Sequence, residues 1–519
     1  MKLRNIIQSI AMASASLFAV TSCNGLLDIP QHSVSSIDSY YKTDAEAEEG
    51  ITECYGAFRA LEGSTNSLQF VKEMLSDNVW CGGGSHYDGN FHELTDYTFS
   101  SDYGSISSIY TNLYTLIYDC NVVIENVTGT SDVMKRAVAE AKVFRAWANF
   151  QLVTLWGTAP LVQKTLEESE YMQGNSTKEA LWSAIETDLT EAISSGDLVV
   201  KSGLGDKTYR ITKQFAQAML GKAYLFQKKN PEAAAILNEV IDSKLYDLNP
   251  DLSNAGTPLG GMTMESIFEI HCINDPSNNS TNNNFKWTFQ GLRGEKYAYD
   301  NPVPSPFARA TFGYINPKKD LYDAFVSVEG ADGYRLRNTI ATYDQMVNEY
   351  GTKPIMEITD NEGYWNFKYR ILGSRWAGYF YANNTRIMKF NEVLLLAAEA
   401  NLLSGNASLA TSYINRIRTR AQAPLVTGDV TMDQIKVESR LELCFEGQRY
   451  ENIIRWGDAA KLLEHAGEKN PALQPDGTVK WESYNDAGKC GFIAGKHELW
   501  PFPATEMQVN PNMTQNDRW

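Results

Sequence analysis

The chain is 519 residues long and carries 63 acidic against 46 basic side chains, a formal net charge of −17 at neutral pH. So strong an excess of acid argues against nucleic acid as a partner, because phosphates reward basic patches. Tyr, Trp and Phe make up 11% of the residues, with 27 Tyr and 11 Trp, which suits either a large core or flat surfaces for ligand stacking.

Lys2 and Arg4 precede an apolar, small-residue stretch from Ile6 to Val20, which ends in Val20-Thr21-Ser22-Cys23. A basic start, an apolar middle and small residues leading into a cysteine form the pattern of a bacterial lipoprotein signal. The run is shorter than the roughly 20 residues a bilayer core demands, so it reads as a leader rather than a membrane span. Residues 1–22 are therefore expected to be removed, Cys23 to carry lipid, residues 23–40 to be a tether, and residues 41–519 to form a single domain. Several acyl chains, as bacterial lipoproteins carry, would give the stable attachment that one chain does not.

Helical patterning begins near Asp44. Residues 76–105 interrupt it with a loop containing Asn78, Trp80, His86, Tyr87, Asp88, Asn90 and Phe91, broken by Gly82-Gly83-Gly84. The triple glycine has no Lys-Ser/Thr after it and no strand signal before it, so it is not a phosphate cradle. In 136–156, RAVAEAKVFRAWANFQLVTLW, apolar positions recur at three- and four-residue steps, which predicts a long buried helix stopped by Gly157 and Pro160. Ser176-Thr177-Lys178-Glu179 reads as a capping box with Ser176 at the cap, followed by a stripe of Leu181, Ala184, Ile185, Leu189 and Ile193.

Two helix–turn–helix pairs are predicted, one over 212–227 and 232–241, the other over 386–404 and 407–421. Small residues at Ala223, Ala233, Ala234, Ala397, Ala400, Ala407 and Ala410 allow close approach. Such pairs resemble degenerate tetratricopeptide repeats, which stack because neither helix buries its apolar face alone. The expected fold is mostly α, a scaffold of these pairs with long aromatic-rich loops and a few short strands.

Residues 250–385 are rich in Asn, Gly, Pro and aromatics, with only short strand-like pieces such as 266–272 and 365–370. Loops this long are usually functional or disordered, and the aromatic content argues against disorder. Candidate ligand residues here are Asn284, Trp287, Arg293, Tyr297, Tyr299, Phe312, Tyr314, Trp376 and Tyr379. Six cysteines besides Cys23 are scattered without CxxC or Cys/His spacing, so buried thiols, or one or two disulfides in an exported protein, are expected rather than zinc. No cofactor motif is present.

Four segments, taken in order, resemble the SusD-like (RagB-type) lipoprotein family. EAKVFRAWANFQLVTLWGTAPLV (140–162) is similar to its EA-x-FLRA helix and PLV turn, and 386–400 to its R-x-x-E-x-LLL-x-AEA helix. ESRLELCFEGQRYENIIRWG (438–457) is similar to its ELAFEG-x-R…RWG segment, with Gln448 and Tyr450 as mild departures, and LWPFPATEMQVNPNMTQN (499–516) to its terminus. The resemblance implies a binding protein, not an enzyme. It would sit lipid-anchored in the outer membrane and cell-surface exposed, capture oligosaccharide and hand it to a SusC-like TonB-dependent transporter. A peptide or another nutrient is the alternative ligand, and a glycoside hydrolase the alternative activity.

Within 438–457 the charges read as scaffold. Glu446 and Arg449 have the i,i+3 spacing of an ion pair, and carboxylates near Arg418, Arg420, Arg440 or Arg455 would hold helices in register. A hydrolase would instead need two carboxyls ~5–9 Å apart flanking a sugar cleft.

Overall fold

The computed structural model describes residues 40–63, 67–273, 285–300, 307–308, 311–375 and 381–519; the expected leader, lipid cysteine and tether lie outside them. Eleven helices carry the architecture: α1 (Asp44–Gly63), α2 (Leu68–Met74), α3 (Gly104–Asn126), α4 (Asp132–Leu155), α5 (Lys178–Ser195), α6 (Lys213–Phe226), α7 (Asn230–Asp242), α8 (Phe390–Leu403), α9 (Ala407–Ala421), α10 (Met432–Leu443) and α11 (Gln448–Trp456). Each leans on the next in a chain of pairs: α1 on α3, α3 on α4, α4 on α5, α5 on α6, α6 on α7, α7 on α8 and α8 on α9. This is the stacked helix-pair scaffold predicted from the apolar periodicity.

Local chemistry sets the ends of these helices. Ser131 caps α4 by accepting from the Met134 amide at 3.2 Å, and Gly157, with φ of 80°, turns the chain away after Trp156. The cap of α5 is Thr177, not Ser176: its hydroxyl accepts from the Ala180 amide at 3.1 Å. Ser176 is drawn off by the preceding turn, where its hydroxyl accepts from the Leu161 amide at 3.0 Å. At the α6–α7 crossing the helices approach closely at Gly221, where an added Cβ would lie 2.5 Å from the Leu237 side chain.

All the strand pairs are short and antiparallel. β1 (Val79–Gly82) pairs with β4 (Tyr314–Pro317), β2 (Ser266–Ile270) with β9 (Thr385–Lys389), β3 (Tyr297–Tyr299) with β6 (Thr352–Pro354), and β5 (Ile340–Thr342) with β8 (Tyr364–Asn366). β10 (Asn470–Leu473) lies between β7 (Ile358–Thr359) and β11 (Val479–Glu482). These sheets pin the long inserts onto the helices. β9 also runs directly into α8, which shortens the helix predicted to start at 386.

Buried charge ties the C-terminal helices together. Glu438 is shared by Arg418 at 2.7 Å and Arg335 at 2.8 Å, and Glu442 by Arg335 at 2.9 Å and Arg420. Arg455 reaches Glu399 at 2.5 Å. The expected Glu446–Arg449 pair does not form. Glu446 lies between Lys368 and Lys389, each at 2.7 Å, while Arg449 donates to Asp77 at 2.6 Å. Glu446 lies in the turn between α10 and α11, flanked by Phe445 and Gly447 at positive φ, so the helical i,i+3 geometry is absent and the buried carboxylate takes two cations from elsewhere in the chain. Clamped in this way, Glu442 and Glu446 face cations rather than a cleft. The six cysteines outside the leader region are free thiols, all buried except Cys490, which is half-buried.

Candidate functional site

β1 opens into the 83–91 loop, and two distant segments close over it: residues 358–362 after β6 and the end of β11. Their meeting point gathers several predicted ligand residues. Trp80 is half-buried; its indole donates to Glu362 at 2.8 Å, Lys318 lies 4.4 Å above its ring, and Trp481 packs edge-on with centroids 6.0 Å apart. Trp481 itself is 48% exposed. Tyr87 is 56% exposed and meets Tyr484 edge-on at 5.7 Å. Three residues apart on β11 and its exit, Trp481 and Tyr484 join the Trp80 end of the loop to the Tyr87 end.

Beneath Tyr87 the loop is locked by charge. His86 is buried, stacked on Tyr484 at 3.9 Å, with one ring nitrogen 3.1 Å from Asp360 and the other 3.1 Å from Asp96. Burial alone would lower its pKa, but the bonds to Asp360 and Asp96 outweigh this and raise it to about 9. Burial pushes Asp360 upward as well. The two-carboxylate geometry nonetheless favours an imidazolium, with both ring N–H groups donating. Asp88 accepts from the Gly84 amide at 2.9 Å and from Arg293 at 2.8 Å, and Arg293 also donates to Glu295 at 2.8 Å. Asn90 is exposed, at a φ of 59° that bends the chain. Tyr314 donates to the Asp88 carbonyl at 3.3 Å and stacks on Phe289, which in turn stacks on Phe312 at 5.1 Å.

The structure sends other candidates inward. Trp287 is 1% exposed: one face stacks on Tyr369 at 4.8 Å, and its indole donates to the Asn383 carbonyl at 2.9 Å, so it is a core residue rather than a ligand platform. Asn78 is buried and accepts from Arg440 at 3.0 Å. Tyr297 is buried in a small second core, its hydroxyl accepting from Trp365 at 2.9 Å; Tyr299 is half-buried beside it. For Trp287, Asn78 and Tyr297 a neighbour from another element already occupies the side chain. Asn284, Trp376 and Tyr379 lie outside the described residues.

Sequence reasoning missed Trp481, Tyr484 and Glu362. The available signal was the Asp476-Gly477 turn, which predicts a hairpin and places Trp481 in its second strand. The arrangement offers exposed indole and phenol faces next to a fixed carboxylate and guanidinium. It can hold a ring by stacking and bind its polar edge by hydrogen bonds.

Residues 264–519 match the model of the SusD family, and residues 33–225 match the model described as "Starch-binding associating with outer membrane". SusD-like protein P2 of Formosa agariphila is 24% identical over 96% of this chain and 97% of its own length. Among solved structures, a laminarin binding SusD-like protein superposes with a TM-score of 0.77 at 25% identity, covering 92% of this chain and 99% of that one. Surface glycan-binding protein A from Bacteroides thetaiotaomicron, in complex with laminarihexaose, gives 0.71 at 19% identity, covering 91% and 99%. Sequence along nearly the whole length and a shared helix-pair fold lead to the same place: the chain belongs to the SusD-like family.

Proposed function

We propose that this protein is a cell-surface glycan-binding lipoprotein, anchored through Cys23, that captures oligosaccharide and delivers it to a partner TonB-dependent outer-membrane transporter without cleaving it. The observation that carries the binding role is the gathering of exposed Trp481 and Tyr87 with half-buried Trp80 and Tyr484, an aromatic cluster at a loop surface. Family membership supports the ligand class, and the laminarin-binding relative makes laminarin the first polysaccharide to try. His86, Asp88 and Arg293 serve this site by holding the loop, and Asn90 and Phe312 stand at its margins. Asn284 and Trp376 belong to the same insert.

The test is a glycan array and affinity-gel screen of the purified protein, with release of reducing sugar followed in parallel. Retention by one polysaccharide class without sugar release is the expected result, with retention weakened in Trp80→Ala/Trp481→Ala. Sugar release would overturn the non-catalytic reading, and silence on every glycan would replace it with a peptide or other nutrient. For the anchor, Cys23→Ala is expected to move the protein from the detergent phase to the aqueous phase; unchanged partitioning would sink the lipid assignment.

A further inference from the structure

A second aromatic surface lies on the outer face of α3 and shares no residue with the Trp80 platform. Along α3, Ile109, Leu113, Leu116 and Ile117 turn inward to the core, and Tyr110 is buried against Trp156, while half-buried Tyr114 and exposed Tyr118, four residues apart, face the other side. Segment 160–173 stands opposite and the C-terminal helical turn at 504–509 closes one end, enclosing an open groove of about 500 Å³.

The floor of the groove is fixed. Tyr114 donates to the Pro160 carbonyl at 2.7 Å, and Asn121 bridges to the Lys164 carbonyl at 3.0 Å. The rim is free. Tyr118 is 53% and Tyr171 60% exposed, and neither hydroxyl has a hydrogen-bond partner among the described residues. Lys164 is already paired with Glu170 at 2.6 Å, and Glu506, half-buried, lines the groove and accepts from Asn510 at 3.3 Å. The groove thus offers aromatic faces, free phenol donors and a carboxylate acceptor, but no uncommitted cation. That chemistry rejects anions and suits an uncharged polyhydroxylated ring. Tyr114 and Tyr118, four residues apart, are offset by about 6 Å along the helix, close to the length of one pyranose unit, so a short sugar chain can lie along them.

We propose that this groove is a second carbohydrate site, binding a neutral oligosaccharide along α3 independently of the Trp80 platform. Its ligand class rests on the glycan-binding reading above, but its location does not. The test compares the wild-type protein with Tyr118→Ala/Tyr171→Ala and with Trp80→Ala/Trp481→Ala by electrophoresis through gels containing laminarin and a panel of other neutral polysaccharides. Hydrogen exchange over residues 111–121 is followed with and without laminarihexaose.

Losing two ring contacts of ordinary stacking strength is expected to weaken retention by about tenfold in the tyrosine variant, with the melting temperature unchanged because both rings are exposed. The oligosaccharide is expected to slow exchange over 111–121 in the wild type and in the tryptophan variant. A tyrosine variant retained like wild type, with no protection of α3, overturns the groove and leaves the Trp80 platform standing. Retention lost in the tyrosine variant but intact in the tryptophan variant keeps the groove and removes the platform. A wild type retained by no glycan removes both.

Discussion

Trp80 and Trp287 look alike in the sequence, each an indole in an irregular, polar, aromatic-rich stretch. Trp80 keeps one side near solvent beside Trp481, whereas Trp287 is sealed between Lys286 and Tyr369. Their substitutions should therefore separate. Trp287→Ala empties a buried indole volume and strands the Asn383 carbonyl, so a loss of about 3–5 kcal/mol is expected. Trp80→Ala, at a half-buried position, should cost much less stability and instead weaken ligand binding. Denaturant titration of the two variants checks this; equal midpoints would refute the core assignment of Trp287. What hid the difference is that burial in an insert depends on which helix it folds back upon, and local periodicity carries no such information. For the same reason Trp481, some four hundred residues from Trp80 in the chain, could not be read as its partner.

Helices were the legible part, because an apolar stripe at three- and four-residue spacing has few alternatives. The α6–α7 and α8–α9 pairs fall within a few residues of their predicted limits. Errors arose where two satisfying arrangements competed: Thr177 over Ser176 as the cap, and Asp77 over Glu446 as the partner of Arg449. The small residues expected at the close approach of the pair, Ala223, Ala233 and Ala234, are buried, but Gly221, which leaves no room for a Cβ against Leu237, was passed over. Gly221→Val should therefore force α6 and α7 apart and destabilise by about 1–3 kcal/mol, despite improved helix propensity, because overpacking outweighs the gain at that contact. A thermal scan checks it, and a variant as stable as the parent or more so would show that the crossing relaxes freely.

Across the whole molecule, buried ionisable groups divide into two sets with opposite pH dependence. Burial raises the carboxyls of Asp77 and Glu451, but Arg449 and Arg440 around the first, and Lys222 and Lys72 around the second, outweigh it and lower both to about 2. Their contribution is complete above the ordinary carboxylate range and is lost as pH falls toward 2. Glu73 and His86 act in the other direction. Glu73 is raised to about 7 by burial, against the pull of the Gly447 and Phe445 amides, and His86 is raised to about 9. The Glu73 contribution is complete below its unfolded value of 4.5 and fades as pH rises through about 7. That of His86 is complete below 6.5 and fades through about 9. From these four groups stability is expected to be greatest near pH 4.5 and to fall from there toward pH 9 by a few kcal/mol. His86→Gln keeps a polar ring-sized side chain but cannot carry the charge, so it should flatten the upper part of the decline and loosen the 83–91 loop; Glu73→Gln should flatten the lower part. Melting temperatures measured across pH 4.5–9.5 for the three proteins decide the matter. A parent curve that keeps rising to pH 9 would mean that neither group holds its proton in the folded state, and that the Asp96–His86–Asp360 clamp works as neutral hydrogen bonds alone.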